Sequence, residues 1–436
     1  MKRRPTSSCT TAATAVVSLS RERRKQMETA MKCRCVTLPG LIMLLLVLIG
    51  PPNTCGQSDV ESLARDNTRF AFDLYHKLAP TQGNIFFSPY SISTALAMTY
   101  AGARGNTEKE MAATLRFSLS QTELHPTFAK MDACLKKAER SGIRLRVANS
   151  LWPQKDYPFL EEYISLLKKH YGVLVTAVDY RSGRDAAQTI NNWVANKTDD
   201  RIKAIVTPDD LTTMTRLVLV NAIYFKGKWA SQFKARNTKQ EPFHVAPDKP
   251  IQAPMMTQKL KCRYASLPSL DLLELPYVGN GLSMIVLLPK KIDGVQEVES
   301  ELTADNLTSW LGALREQEVL VFLPRFKTTC TFGLRDALSS MGMLAAFRAT
   351  KANFAGMDGR PDWIYVSAVI HKAFVEVNEE GTEAAAATAV TMLTSAVPAS
   401  PPTFRADHPF VFLIQEKGTG SILFAGRITD PTKSGE

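Results

Sequence analysis

Apolar and polar positions along this chain follow two different periods, and the change from one to the other falls near its middle. In residues 60–79, Val60, Leu63, Phe70, Phe72 and Leu74 recur between charged positions, which predicts an amphipathic helix. Ser88-Pro89 then predicts the start of a second helix, because proline is tolerated in a first turn, where its missing N–H has no partner to lose. Ile92, Ala95, Leu96 and Thr99 lie along one face of it. Later segments read as strands: 217–225, 283–288, 319–323 and 410–414 are short, apolar and rich in β-forming residues. Helices come early and strands late, with no linker, repeat or low-complexity gap before an alanine-rich stretch near 384. The pattern predicts one continuous α+β domain of helices packed on antiparallel sheets.

Composition changes this picture only at the N-terminus. The chain has 436 residues, 45 % hydrophobic and 22 % charged, enough for a sizeable core. Its net charge of +11 is unevenly placed. Nine of 53 basic and two of 42 acidic side chains fall in residues 1–56, leaving 44 and 40, a balance of +4, in the remainder. That is not the footprint of a nucleic-acid binder. Lys32 and Arg34 precede an unbroken apolar run at 41–49, then Pro51, Pro52 and small residues one and three positions before Gln57. This is a signal-peptide pattern, and the run is short for a membrane span; a retained anchor is the alternative. Residues 1–56 are therefore expected to be an N-terminal extension and leader, with Met27 or Met31 as possible starts, and 57–436 the mature domain. The mature protein is expected outside the cell and off the membrane. Cleavage at Gln57 leaves three of seven cysteines, Cys134, Cys262 and Cys330, so disulfides are not the framework.

No catalytic or metal motif stands out. The chain lacks a G-x-S-x-G elbow, a phosphate loop and zinc-type cysteine or histidine spacing. His371 and His408 have no nucleophile near them in sequence. An enzyme is not expected.

Several blocks resemble serpins. Residues 84–92, Asn-Ile-Phe-Phe-Ser-Pro-Tyr-Ser-Ile, look like the start of the family's helix B, and 219–227, Leu-Val-Asn-Ala-Ile-Tyr-Phe-Lys-Gly, like its central strand, followed by Trp229 and Phe233. Leu323-Pro324-Arg325-Phe326, Met341-Gly342-Met343, Asp407-His408-Pro409-Phe410 and Leu423-Phe424-Ala425-Gly426 match further blocks in the family's order. The resemblance implies a serpin fold, helices on three antiparallel sheets with an exposed reactive-centre loop. It implies a monomeric inhibitor that traps a serine protease in a covalent complex and needs no cofactor. It also gives Ser88, Ser91, Asn221 and His371 a role, as the polar cluster that governs opening of the sheet; satisfied core polar groups are the simpler alternative. One departure is that the run 196–201 has Asp200 and Arg201 where the family usually has Gly-Lys, which questions the geometry of that turn.

The loop, about 379–404, is where the implied function would reside. Alanine favours helix, but the stretch lacks a sustained apolar face, and Pro398, Pro401 and Pro402 forbid a helix at its end. A loop this long is usually functional. Inserted as a strand, it would place Thr382, Ala384, Ala386, Thr388, Val390 and Met392 on one face. Glu379, Gly381, Thr382, Ala384, Ala386 and Thr388 then form the hinge, small enough to enter a crowded gap, with Gly381 as pivot. In inhibitory serpins the residue before the scissile bond lies fourteen positions after the hinge glycine. That count implies Ser395–Ala396, with Leu393 and Thr394 as fallbacks. No Lys or Arg occurs from 379 to 404, so the expected target has an elastase-like or chymotrypsin-like pocket and not a trypsin-like one.

Three further expectations follow. Lys136, Lys137, Arg140, Arg144 and Arg146 form a basic patch that would suit a glycosaminoglycan, or would simply be a solvated face. Asn196 and Asn306 begin glycosylation sequons. The alternative function is a non-inhibitory serpin: a carrier, chaperone or storage protein.

Overall fold

The computed structural model describes residues 57–138, 143–173, 175–361, 364–381 and 401–435. Helix α1 (Gln57–Leu78) buries Val60, Leu63, Phe70, Phe72 and Leu74, as its periodicity predicts. After strand β1 (Ile85–Phe87), the Ser88 side chain caps helix α2 (Pro89–Tyr100) by accepting from the Ser91 N–H, with Pro89 in the first turn. The one-face expectation for α2 is too narrow. Every residue of the helix except Thr94 is buried, because it lies in the middle of the molecule, against α1 on one side and strands of both sheets on others. Helices α3 (Gly105–Thr114), α4 (Gln121–Ala138), α5 (Glu161–Tyr171) and α6 (Gly183–Lys197) follow, interrupted by the long strand β2 (Ile143–Pro153).

Two hydrogen-bonded sheets make the rest. The four-stranded sheet has the order β2, β3 (Leu217–Gly227), β10 (Ala368–Val377), β9 (Phe326–Gly333). The nine-stranded one contains β1, β4 (Lys239–Ala246), β5 (Lys249–Ser266), β6 (Leu270–Pro276), β7 (Leu282–Pro289), β8 (Arg315–Pro324), β11 (Thr403–Arg405), β12 (Phe410–Glu416) and β13 (Ile422–Ile428). The fold is α+β, but the expectation of three antiparallel sheets is corrected on two counts. The described residues form two continuous sheets, and the pairs β3–β10 and β8–β11 run parallel.

The main apolar core lies between the sheets and around α1 and α2. A second, smaller one lies beneath α6, where Ala186, Ala187, Ile190 and Val194 pack on Val218, Val220, Ala222 and Tyr224 of β3 and Ile370 and Phe374 of β10. Helix α6 itself packs against β2, whose Ala148 and Trp152 belong to the same cluster. The turn after it answers the question raised by Asp200. Asp199 and Asp200 both adopt left-handed backbone, φ 50° and 58°, so the geometry survives the loss of glycine and is held under strain. Cys134, Cys262 and Cys330 are all free thiols.

Candidate functional site

The polar cluster forms around one rung of the four-stranded sheet. Asn149 of β2 stands opposite Asn221 of β3, which stands opposite His371 of β10. The start of α2 supplies Ser88 and Ser91 from below. His371 is fully buried, and its two ring nitrogens have opposite roles. Nε2 accepts from the Ser88 backbone N–H at 3.0 Å, so the proton must sit on Nδ1, which donates to Asn221 Oδ1. Asn221 Nδ2 donates to Ser91 Oγ at 2.5 Å and to Asn149 Oδ1, and Ser91 Oγ donates to Asn149 Oδ1 at 3.0 Å. Ser88 Oγ donates to the Leu423 carbonyl at 2.6 Å, tying the cluster to the nine-stranded sheet. Burial pushes the His371 imidazole down to about 3, and the neutral ring is the form this pattern requires.

All four expected members therefore meet, and a fifth, Asn149, joins them. An asparagine between the apolar pairs Val147-Ala148 and Leu151-Trp152 was the available signal. Each bond left unmade at this depth costs about 1–3 kcal/mol, so the cluster depends on every member being paired. Neither histidine singled out from the sequence is placed as a general base. His371 meets a backbone amide, and both nitrogens of His408 are taken up by Asp407 Oδ1 and the Pro289 carbonyl, each at 2.9 Å.

The residues expected to begin the hinge, Glu379 and Gly381, lie just past the end of β10. Glu379 is buried and receives the Arg325 guanidinium and, at 2.6 Å, the Thr238 hydroxyl. Burial raises its pKa, but these donors outweigh that and leave the carboxyl below the usual range. The Glu379 and Glu380 carbonyls accept from the Phe233 and Trp229 N–H groups at 2.8 and 3.0 Å, and Trp229 Nε1 donates to the Asn378 carbonyl at 3.0 Å. Gly381 has φ 120°, and a Cβ there would lie 2.3 Å from the Gly227 carbonyl oxygen. No other residue type fits without moving backbone. Arg325, Thr238 and Asn149 carried no assigned role from the sequence, since what they do depends on partners remote in the chain.

Residues Thr382, Ala384, Ala386, Thr388, Leu393, Thr394, Ser395 and Ala396 lie outside the described residues, as does Arg140. Of the remaining basic patch, Lys136, Lys137 and Arg144 are exposed and Arg146 is half-exposed. Lys136 pairs with Asp132 at 2.6 Å and Arg146 with Asp199 at 3.4 Å, pairs that water weakens. Asn196 is exposed near the end of α6, with its sequon threonine, Thr198, buried. Asn306, in helix α7 (Ala304–Ala313), spends its amide on the Glu301 carbonyl at 2.7 Å.

Comparison with known proteins bears on the same segments. The family profile described as Serpin (serine protease inhibitor) matches residues 65–431. The chain is 42 % identical over 384 residues to the human leukocyte elastase inhibitor and 41 % over 381 residues to that of Xenopus tropicalis, in each case covering 85 % of this chain and all of the relative. Among solved structures, uncleaved ovalbumin superposes with a TM-score of 0.76 at 31 % identity, covering 85 % of this chain and all of that one.

Proposed function

The chain belongs to the serpin family, and from that premise we propose that it is a secreted suicide inhibitor of serine proteases with elastase-like or chymotrypsin-like specificity. One observation carries the proposal. Strands β3 and β10 pair directly and in parallel over seven registered positions, Ala368 with Val218 through Phe374 with Tyr224, and the hinge follows the end of β10. A strand that turned back at Gly381 and entered this seam would run antiparallel to both neighbours. One parallel pair would be exchanged for two antiparallel ones, which are slightly more stable per residue.

The mechanism builds on that exchange. The protease serine attacks the carbonyl carbon of Ser395. The Ser395–Ala396 bond breaks, the new amine of Ala396 leaves with a proton, and an acyl-enzyme remains. The freed segment then inserts between β3 and β10. About twelve residues at ~3.3 Å each carry the tethered protease roughly 40 Å. Catalytic groups tolerate little displacement, so deacylation stops. The chain acts as a consumed substrate and not as a catalyst. The absence of Lys and Arg from 379 to 404 argues against trypsin-like targets, and two relatives are named leukocyte elastase inhibitors. Export rests on the leader pattern at 32–56.

Incubation with elastase, chymotrypsin and trypsin, followed by a denaturing gel and mass spectrometry of the released C-terminal fragment, tests this reading. A covalent complex with elastase or chymotrypsin and a new N-terminus at Ala396 is expected. Potent trypsin inhibition with cleavage after Arg405 would overturn the specificity, and cleavage without any complex would overturn inhibition itself.

A further inference from the structure

Strand β9 is one edge of the four-stranded sheet, paired to β10 on its other side. The N–H of Leu334, next after the strand, donates to the Val369 carbonyl of β10 at 2.9 Å. The alternation of a strand therefore turns the backbone groups of Lys327, Thr329, Thr331 and Gly333 outward. Among the described residues, the one backbone bond on this side runs to the C-terminal tail: the Thr329 N–H donates to the Ser434 carbonyl at 2.7 Å. Gly435, with φ 70°, lies so close to the Thr329 carbonyl that a Cβ would strike it. Asn84 steers the tail to this place. Its Oδ1 accepts from the Thr429 and Asp430 N–H groups at 2.9 and 3.1 Å, and its Nδ2 donates to the Asp430 and Lys433 carbonyls at 2.8 and 3.1 Å. Asp430 Oδ1 fixes the turn by accepting from the Thr432 N–H and hydroxyl at 2.9 and 2.6 Å. Residues 432–435 are exposed, so they bury little apolar surface and add little to the core. What they cover is an open strand edge, and such an edge is a template for another chain.

We propose that the tail is a cap that keeps the protein monomeric, and that its loss opens β9 to the β9 of a second copy of this chain. A strand whose odd-numbered backbone groups point outward can pair with itself about a two-fold axis. The register centred on Cys330 sets Thr329 opposite Thr331 of the copy, and Lys327 opposite Gly333. Threonines facing each other across an antiparallel pair are favourable, and neither lysine meets its counterpart. The two four-stranded sheets join into one, and the dimer is closed because each copy spends the same edge on the other. With the cap in place, Ser434 and Gly435 occupy the position of the incoming strand at Thr329. This association involves neither the bait loop nor the β3–β10 seam.

Size-exclusion chromatography with light scattering, run over a range of concentrations on the full-length chain and on a variant ending at Lys433, tests the cap. The full-length chain is expected to stay monomeric and the shortened one to dimerise as concentration rises, with little change in thermal midpoint. Gly435→Val, which displaces the end of the tail without removing it, should associate in the same way. Adding Gly333→Lys to the shortened chain tests the edge. A Cβ at Gly333 meets nothing within 4 Å, so the fold accepts the lysine, yet in the dimer it stands opposite Lys327. Association should weaken roughly tenfold. A shortened chain that stays monomeric at every soluble concentration would overturn the proposal, as would equal association with and without the tail. A dimer of undiminished affinity in Gly333→Lys would put the contact elsewhere and overturn β9 as its surface.

Discussion

Asn221 and His371 face each other across the only parallel pair of the four-stranded sheet, and the neutral imidazole donates from Nδ1 to the Asn221 side-chain carbonyl. The two residues are 150 positions apart, yet the bond crosses the seam that loop insertion would have to open. Its strength therefore bears on both stability and timing.

The protonation state of His371 makes the native fold pH-sensitive. Burial holds its folded pKa at about 3, below the unfolded value of 6.5, so the unfolded chain takes up the proton first. The stabilisation is complete above about pH 7 and falls by about 1.4 kcal/mol per pH unit between 6.5 and 3. His125, held down to about 4 chiefly by burial, adds a similar slope over a narrower window. Denaturant unfolding measured from pH 7.5 to 4.5 should show the loss, and His371→Asn should roughly halve its slope, leaving the His125 contribution. An unchanged slope in that variant would remove His371 as the cause.

Gly381 is expected to admit no side chain. Its φ of 120° strains any other residue, and a Cβ would strike the Gly227 carbonyl oxygen and the Trp229 amide nitrogen. Gly381→Ala should cost about 1–3 kcal/mol and disturb the hinge. Thermal melting gives the first effect, and the yield of covalent complex with elastase gives the second. A variant as stable and as inhibitory as the parent would contradict the geometry.

Thr382→Arg should turn the inhibitor into a substrate. It places a charge at the first inserted position, where burial without a partner costs several kcal/mol. Cleavage would continue while insertion slowed, so the acyl-enzyme would hydrolyse. A denaturing gel should then show cleaved chain in place of complex, and an undiminished complex band would argue against insertion.

Asp200→Gly should stabilise the chain by about 1 kcal/mol, because it removes the side-chain penalty of left-handed backbone at φ 58°. Differential scanning calorimetry reads this directly. A lower midpoint would mean that the aspartate side chain makes a compensating contact.

The amino-acid sequence by itself determined which positions of α1 face inward, where α2 begins, and which runs become β3, β7, β8 and β12. Each of these depends on local periodicity or on capping chemistry, which a single segment carries. The composition of the loop is equally local, and so is its lack of Lys and Arg. Tertiary structure decided the rest. It buried α2 on nearly every side, placed Asn149 in the rung with Asn221 and His371, and supplied Arg325 and Thr238 to Glu379. It also made β3 and β10 parallel neighbours, which no local pattern encodes, because a parallel pair needs a long crossover and its partner is set by the packing of everything in between.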